Sequence, residues 1–457
     1  MIKLTPTTAA AKMGGPGPRP QTSPLDAASG GVPIAYRASG CDLAATRAAT
    51  PSDSGADRGA GAGAAREVGV YVHFPWCVRK CPYCDFLSVP SAREDIPHEQ
   101  YADAVIAELG ARRAELGPHQ LRTVFFGGGT PSLWKARQLG RVLSAIMSAF
   151  ATGPTPAEVT VECNPGSLGP RSARALLDVG VNRLSLGVQG LDAERLRFLG
   201  RWHGVEQALE AVRAALGSGM PRVSADLIYG VAGESPEEAA REARTLAELG
   251  LGHVSAYALT IEAQTAFGAL ARKGRLPLAP EQAVAESFVA VDEALAACGL
   301  EHYEISNFAR PGQRAEHNLG YWLGRDYVGL GCGAWGTVSR AGQRFRYRNR
   351  PQPQAYVAQA LALRPDDTAG CRALESEGEP LSAETQLSEA LLLGLRLAEG
   401  LDGDAAVART GATLWTPERR RSARRLVDRG RLVLDGPRLV IPKSAWLFSD
   451  GIISELL

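Results

Sequence analysis

Cys77, Cys81 and Cys84 are spaced C-x3-C-x2-C directly after a short apolar run, in Tyr71-Val-His-Phe-Pro-Trp-Cys-Val-Arg-Lys-Cys-Pro-Tyr-Cys-Asp-Phe86. Three thiolates this close together wrap three corners of one small inorganic cluster. They leave the fourth corner open, because Asp85 and Phe86 come next. Iron-sulfur clusters are normally held by four thiolates. The spacing therefore predicts a [4Fe-4S] cluster with one iron free to take another ligand. A structural zinc site wants four closed ligands, and no fourth Cys or His stands at a usual spacing. A disulfide is disfavoured by the crowd of thiols and by the lack of a secretory signal.

The elements that must position these thiols follow from the apolar pattern. The chain has 457 residues and a formal net charge of +1, room for two or three domains and no global attraction to nucleic acid or anionic membrane. Its 8 cysteines are otherwise scattered, which fits a reducing cytosol. No apolar run approaches the ~18 residues of a membrane helix. Residues 1–66 are rich in Ala, Gly, Pro, Ser and Thr and are expected to be a disordered low-complexity extension. A transit peptide is the sharper alternative for this segment, but Pro, Gly and the acids Asp26, Asp42, Asp53 and Asp57 speak against it.

From Val68 onward, short apolar runs alternate with helical stretches. Candidate strands are Val68–Phe74, Thr123–Phe126, Glu158–Cys163, Arg183–Gly187, Arg222–Tyr229 and His253–Leu259. Candidate helices are Glu99–Leu116, Lys135–Phe150, Arg171–Val179, Ala193–Leu216, Pro236–Leu249 and Pro280–Cys298. Such alternation predicts parallel βα units, hence an α/β fold with a partial (β/α)6 barrel over residues 67–300. In such barrels chemistry gathers at the C-terminal strand ends. The polar motifs obey that rule: the cysteine loop, Gly127-Gly-Gly-Thr-Pro-Ser132, Glu162-Cys-Asn-Pro-Gly166, Gly187-Val-Gln189, Asp226 with Tyr229-Gly-Val-Ala-Gly233, and Tyr257. Glycine there lets backbone approach a ligand closely.

Residues 301–375 form a second, glycine-rich block. Within it Arg344-Phe-Arg-Tyr-Arg-Asn-Arg350 reads as a solvated strand, or as one neutralising carboxylates, rather than as a nucleic-acid stripe. Residues 376–457 read as a small helical, winged-helix-like C-terminal domain. Helices are expected at Glu389–Leu397 and Glu418–Arg429, and a hairpin turns around Asp435-Gly436. Fold alone does not assign it a function.

Together these blocks resemble the HemW branch, the haem chaperones, of the oxygen-independent coproporphyrinogen III oxidase-like radical S-adenosylmethionine (SAM) family. The likeness runs from about Gly69 to the C-terminus. It rests on the cysteine motif, Gly127-Gly-Gly-Thr-Pro-Ser132, Asn182-Arg-Leu-Ser-Leu-Gly-Val-Gln189, Leu199-Gly-Arg201, Tyr303-Glu-Ile-Ser-Asn-Phe308 and the H-N-x-x-Y box at His317-Asn-Leu-Gly-Tyr321. The resemblance implies that Cys77, Cys81 and Cys84 ligate the cluster and that SAM fills its open corner and is cleaved reductively, chemistry that belongs to the cofactor. It implies that Tyr71 and Tyr83 line the SAM site and that Gly128, Gly129 and Thr130 meet its methionine end. Glu162, Gln189, Arg201 and Asp226 match further SAM contacts, and His317 and Tyr321 match the box associated with haem.

Three departures stand out. Trp335 replaces a frequent family His, Ala232 a frequent Pro, and Cys163 a frequent Ala; the last is expected to pack as a small hydrophobe. Phe86 stands where the true oxidase commonly has a further cysteine.

The resulting expectation is a cytoplasmic chaperone that binds haem and transfers it to an acceptor protein. A reductant for the cluster and peripheral contact with a membrane acceptor complete the expected partners, and nucleic acid is not among them. The alternatives are an oxygen-independent coproporphyrinogen III oxidase forming protoporphyrinogen IX, or a radical SAM enzyme acting on another substrate.

Overall fold

The computed structural model describes residues 66–457 apart from Pro154 and Ala341. The low-complexity reading of residues 1–66 therefore lies outside the described residues, except at Arg66, which opens the first strand. Six strands run in chain order: β1 (Arg66–Phe74), β2 (His119–Gly128), β3 (Glu158–Cys163), β4 (Arg183–Gln189), β5 (Arg222–Tyr229) and β6 (His253–Ala258). Between them lie α1 (His98–Leu116), α2 (Ala136–Ala149), α3 (Pro170–Asp178), α4 (Ala193–Phe198), α5 (Val205–Gly217) and α6 (Pro236–Glu248). Each strand pairs in parallel with the next.

The barrel does not close. Beyond β6 the sheet adds β7 (Glu301–Glu304) and β8 (Asn307–Ala309), both in antiparallel pairings. Beyond β1 it adds β9 (Asp326–Leu330) in parallel, then the antiparallel β10 (Trp335–Arg340), β11 (Gln343–Asn349) and β12 (Glu375–Pro380). The expected partial barrel is therefore one continuous sheet to which residues after 300 contribute at both edges.

Alternation along the strands sorts the side chains. Val70, Val72, Val124, Phe126, Val159, Val161, Leu184, Leu186, Val223 and Ala225 are buried in the main core, on the face that the helices cover. The alternate residues line the other face and are largely polar: Thr123, Thr160, Ser185, Ser224, His253 and Ser255 are all buried. A strand buried on both faces usually reads as a near-continuous apolar run. Here the lumen is instead wired by hydrogen bonds, such as Arg183 Nη2 to Ser224 Oγ at 3.0 Å and Arg222 to Glu158 at 2.7 Å.

Local chemistry explains the helix starts. In α6, Ser235 Oγ accepts from Glu238 N–H while Glu238 accepts from Ser235 N–H, with Pro236 at the first position, a capping box worth about 1 kcal/mol. Ala239, Ala243, Leu246 and Ala247 then place one stripe against the sheet.

One helix departs from expectation. The stretch expected to be helical over Ala193–Leu216 is two helices, α4 and α5. Gly200 sits at φ 68°, and Arg201 N–H bonds back to the Leu196 carbonyl at 2.9 Å, a glycine-terminated helix end. The break turns Leu199–Gly204 into a loop over the strand ends.

After α7 (Ala266–Arg272), α8 (Glu281–Ala297), α9 (Glu316–Trp322), α10 (Pro353–Ala360) and α11 (Thr368–Leu374) comes the C-terminal part: α12 (Ala383–Gly394), α13 (Gly403–Thr410) and α14 (Pro417–Asp428). The first of these begins earlier than the expected Glu389, because Ser382 caps it through Thr385 N–H. A small sheet of β13 (Leu401–Asp402), β14 (Val433–Asp435) and β15 (Arg438–Val440) has the order β13-β15-β14. Helices followed by a hairpin make it winged-helix-like, with its own core of Leu387, Leu391, Leu426, Leu439 and Trp446. Backbone bonds from Ile305 N–H to the Arg396 carbonyl and from Ala398 N–H to the Tyr303 carbonyl dock it on the turn after β7.

Candidate functional site

The cysteine loop leaves β1 at its C-terminal end. Its neck is closed by a short ladder pairing Trp76–Cys77 with Val89–Pro90, and Ser91 N–H bonds the Cys77 carbonyl at 2.9 Å. Cys84 N–H bonds the Cys81 carbonyl at 3.2 Å, so the last two thiols share one turn. Cys77 is buried, Cys81 and Cys84 are half-buried, and none is in a disulfide. Burial raises the Cys77 thiol and pushes Cys84 up to about 11. Neutral thiols of this kind give up protons when a metal takes them.

Three free thiols on one loop are the donor type that iron-sulfur clusters take. Among the described residues, no three His, Cys, Asp or Glu side chains form a group that could hold a metal ion. The thiols are instead spread along one loop at a rim where other polar groups converge. Thr130 Oγ1 lies 3.4 Å from Cys77 Sγ. Arg201 Nη1 lies 3.6 Å from Cys81 Sγ, while its Nη2 donates to the Gly187 carbonyl at 2.7 Å. Its buried Nε has no partner. A buried guanidinium nitrogen left unpaired beside a thiol suits an anionic ligand.

The glycine turn after β2 completes the rim. Gly128 takes φ 112°, a conformation that favours glycine, and donates its N–H to Glu162 Oε2 at 3.0 Å. A Cβ on Gly129 would stand 2.5 Å from the Trp76 carbonyl oxygen. Gly129 N–H bonds Phe74 O and Thr130 N–H bonds Trp76 O, at 2.7 and 2.8 Å. Desolvation raises the Glu162 carboxyl to about 7, and burial raises that of Asp226, which accepts from Ser185 Oγ at 3.3 Å. Gln189 holds φ 69°, a left-handed conformation uncommon for a residue with a side chain. Tyr71 is buried on β1 with its ring stacked on Phe125. Tyr83, between two of the cysteines, packs against Phe267.

Cys77, Cys81, Cys84, Tyr71, Tyr83, Gly128, Gly129, Thr130, Glu162, Gln189, Arg201 and Asp226 thus lie on or beside the C-terminal strand ends. Residues 71–247 match the Radical SAM superfamily and residues 381–448 the HemN C-terminal domain. The heme chaperone HemW of Mycobacterium tuberculosis is 36% identical over 390 residues, 85% of this chain and 94% of its own. The Escherichia coli heme chaperone HemW is 38% identical over 271 residues, 59% of this chain and 70% of its own. The chain belongs to the HemW family. The solved structure of E. coli coproporphyrinogen III oxidase (HemN) matches with a TM-score of 0.70 at 22% identity, covering 86% of this chain and 90% of that one, a likeness of fold.

The HemW box lies elsewhere. His317 sits on α9 at the other end of the barrel, against Gly69. Gly69 is five residues below Phe74 on β1, roughly 16 Å along the strand. His317 Nδ1 meets Thr123 Oγ1 at 2.7 Å and its Nε2 meets Tyr321 Oη at 3.0 Å. The ring stacks on Phe125, 5.0 Å between centroids, and the residue is 3% exposed. Its backbone N–H and that of Glu316 donate to Glu158. Burial drives its pKa down to about 3, so the imidazole is neutral. As expected from a helical box, His317 and Tyr321 share one face. They do not share the rim with the cysteines.

Other residues were placed less fully by sequence. Cys163 is 4% exposed and packs in the main core. The arginines of the basic strand meet the protein's own carboxylates: Arg344 with Asp326, Arg346 with Glu389 and Arg348 with Glu377. Trp335 opens β10 with the Arg348 guanidinium 5.4 Å from its ring. Arg183, Ser185, Ser224 and His73 were not singled out. The period-2 polarity of Glu158-Val-Thr-Val-Glu162 and Arg183-Leu-Ser-Leu-Gly187 is the signal that marks the lumen.

Proposed function

We propose that this chain is a cytoplasmic haem chaperone that passes haem to an acceptor protein and carries a [4Fe-4S] cluster and SAM on the barrel rim. The observation that carries the reading is the 36% identity to a heme chaperone HemW along 85% of the chain. The unpaired thiols of Cys77, Cys81 and Cys84 and the partnerless Arg201 Nε at one rim support it. The three cysteines would hold the cluster, which when bound would supply an electron for cleaving the sulfonium of SAM.

The chain's own residues would do the rest. Gly128 and Gly129 let backbone approach the amino-acid end of SAM, and Thr130 faces the thiol of Cys77. Arg201 pairs a carboxylate through its free Nε–H. Glu162, Asp226 and Gln189 supply acceptors for ribose hydroxyls or the ammonium, and Tyr71 and Tyr83 exclude water. Haem at His317 and Tyr321 requires α9 to draw away from β2, since the ring is buried and both its nitrogens are engaged. Its neutral imidazole is the form that ligates metals.

A reductant for the cluster and a peripherally contacted membrane acceptor complete the proposal. No helix among the described residues is long and apolar enough to cross a membrane. The internal pairing of Arg344, Arg346 and Arg348 favours leaving nucleic acid out.

Anaerobic reconstitution tests the reading. The wild type should take up about four irons per chain, and Cys77→Ala, Cys81→Ala and Cys84→Ala should each lose most of them, while Cys163→Ala and Cys371→Ala keep them. The same sample with SAM, reductant and coproporphyrinogen III should yield no protoporphyrinogen, in keeping with Phe86 after the triplet. Steady product would restore the oxidase reading.

A further inference from the structure

We propose that His73 is a positioning residue that locks the return arm of the cysteine loop to the glycine turn, so that the cluster's open corner is presented to the amino-acid end of SAM. This rests on the cluster and SAM reading above. His73 lies on β1 and is 4% exposed. Its Nε2 stands 2.9 Å from the carbonyl oxygen of Leu87, three residues beyond Cys84 on the arm that leads back from the thiols. A carbonyl only accepts, so Nε2 carries the proton. Nδ1 is then the acceptor, and Tyr71 Oη donates to it at 2.9 Å. Both nitrogens and the tautomer are thereby set by two groups that lie on opposite sides of the ring.

The ring also fills the space beneath the turn. A Cβ on Gly128 would stand 2.5 Å from His73 Cε1, so the turn closes on the imidazole itself. The other side of the turn is tied to Glu162 through Gly128 N–H. The His73 main chain is clamped too, because Tyr101 Oη donates to its carbonyl at 2.5 Å and accepts from Cys332 N–H at 3.0 Å. The other fixed points on the return arm of this three-thiol loop are Lys80 Nζ to the Phe86 carbonyl at 3.0 Å, Val89 N–H to the Pro75 carbonyl, the Leu87 side chain packed on the main core, and the ladder at the neck. The Leu87 bond is the one that reaches the barrel lumen. Displacing it frees the thiol-bearing arm relative to the turn without removing any thiol.

The test uses the full chain, reconstituted anaerobically, as wild type and as His73→Gln, His73→Asn and His73→Phe. Iron per chain is measured, and the cluster's EPR change is titrated with SAM. Gln reaches Leu87 with its amide nitrogen, Asn is too short, and Phe fills the space without a donor. The wild type and all three variants should retain most of their iron. Half-saturation by SAM should shift about tenfold in His73→Asn and His73→Phe and no more than about threefold in His73→Gln. If His73→Phe does not fold, as judged by circular dichroism, His73→Asn carries the comparison. Wild-type half-saturation in the Asn and Phe variants would overturn the assignment, as would an equal shift in His73→Gln. A wild type that takes up no iron would overturn the cluster reading instead.

Discussion

The imidazole of His317 stays neutral because the lumen leaves no room to hydrate a cation and because the Arg183 guanidinium repels one, while Thr123 and Tyr321 meet its two nitrogens. Thr123→Val should strand Nδ1 without a partner and cost about 1–3 kcal/mol, read as a lower urea midpoint with unchanged slope. An unchanged midpoint would mean that the ring finds another partner. Glu304 gives a second, pH-dependent case. It is fully buried, it accepts from Asn307 Nδ2 and Ser306 N–H, and burial raises its carboxyl to about 7. A raised acid pKa means that the folded state keeps its proton longer than the unfolded one. Stability is then complete below about pH 4.5 and falls as pH rises toward 7, by up to about 3 kcal/mol. Glu304→Gln cannot ionise, so it should flatten that fall in unfolding measured across pH 4.5–8. An equally steep fall in the variant would place the titration elsewhere. Residue chemistry was legible where it came as a compact motif, as with the cysteines and the glycine triplet. It was less so where it came as alternate polar side chains on separate strands, because Arg183 and Ser185 meet Ser224 only after the two strands are in register.

At the level of elements, the loop between α4 and α5 matters most. Ala193–Leu216 reads as one helix from its sequence. Gly200 and Gly204 were the signals of a break, and the positive φ at Gly200 made it real. That turn delivers Arg201 to Cys81 and lays Gly200 on Pro82, where an added Cβ would stand 2.4 Å from the ring. Gly200→Ala should therefore cost roughly 1–2 kcal/mol from the left-handed backbone alone, and more from the clash. It should also weaken the cluster's spectral response to SAM by moving Arg201. A melting temperature unchanged by the substitution would show that the turn relaxes freely. The six parallel strands were read within a few residues because each carries a short apolar run or alternation set between helical stretches. The short β7 and β8 were not, since Glu301–Glu304 and Asn307–Ala309 are too brief to show a period; β8 pairs with β6, and β7 only with β8.

At the scale of the molecule, one sheet carries two distinct polar regions. The rim holds thiols, glycines, Arg201 and Glu162. The opposite end holds His317, Tyr321 and Thr123. The family was legible from motifs scattered over the chain, but this separation was not, because sequence order says nothing of which end of a strand a later helix will cover. On the proposed reading, the separation lets haem binding and cluster binding be disabled independently. His317→Ala should reduce haem binding without lowering iron content, and Cys84→Ala should do the reverse. The most direct test of the central claim is a haem titration of the anaerobically reconstituted full chain, followed by visible absorbance. The account predicts a saturable haem band at about one haem per chain, each further tenfold in affinity being worth about 1.4 kcal/mol. A titration that never saturates, on protein that holds its cluster, would contradict the chaperone reading.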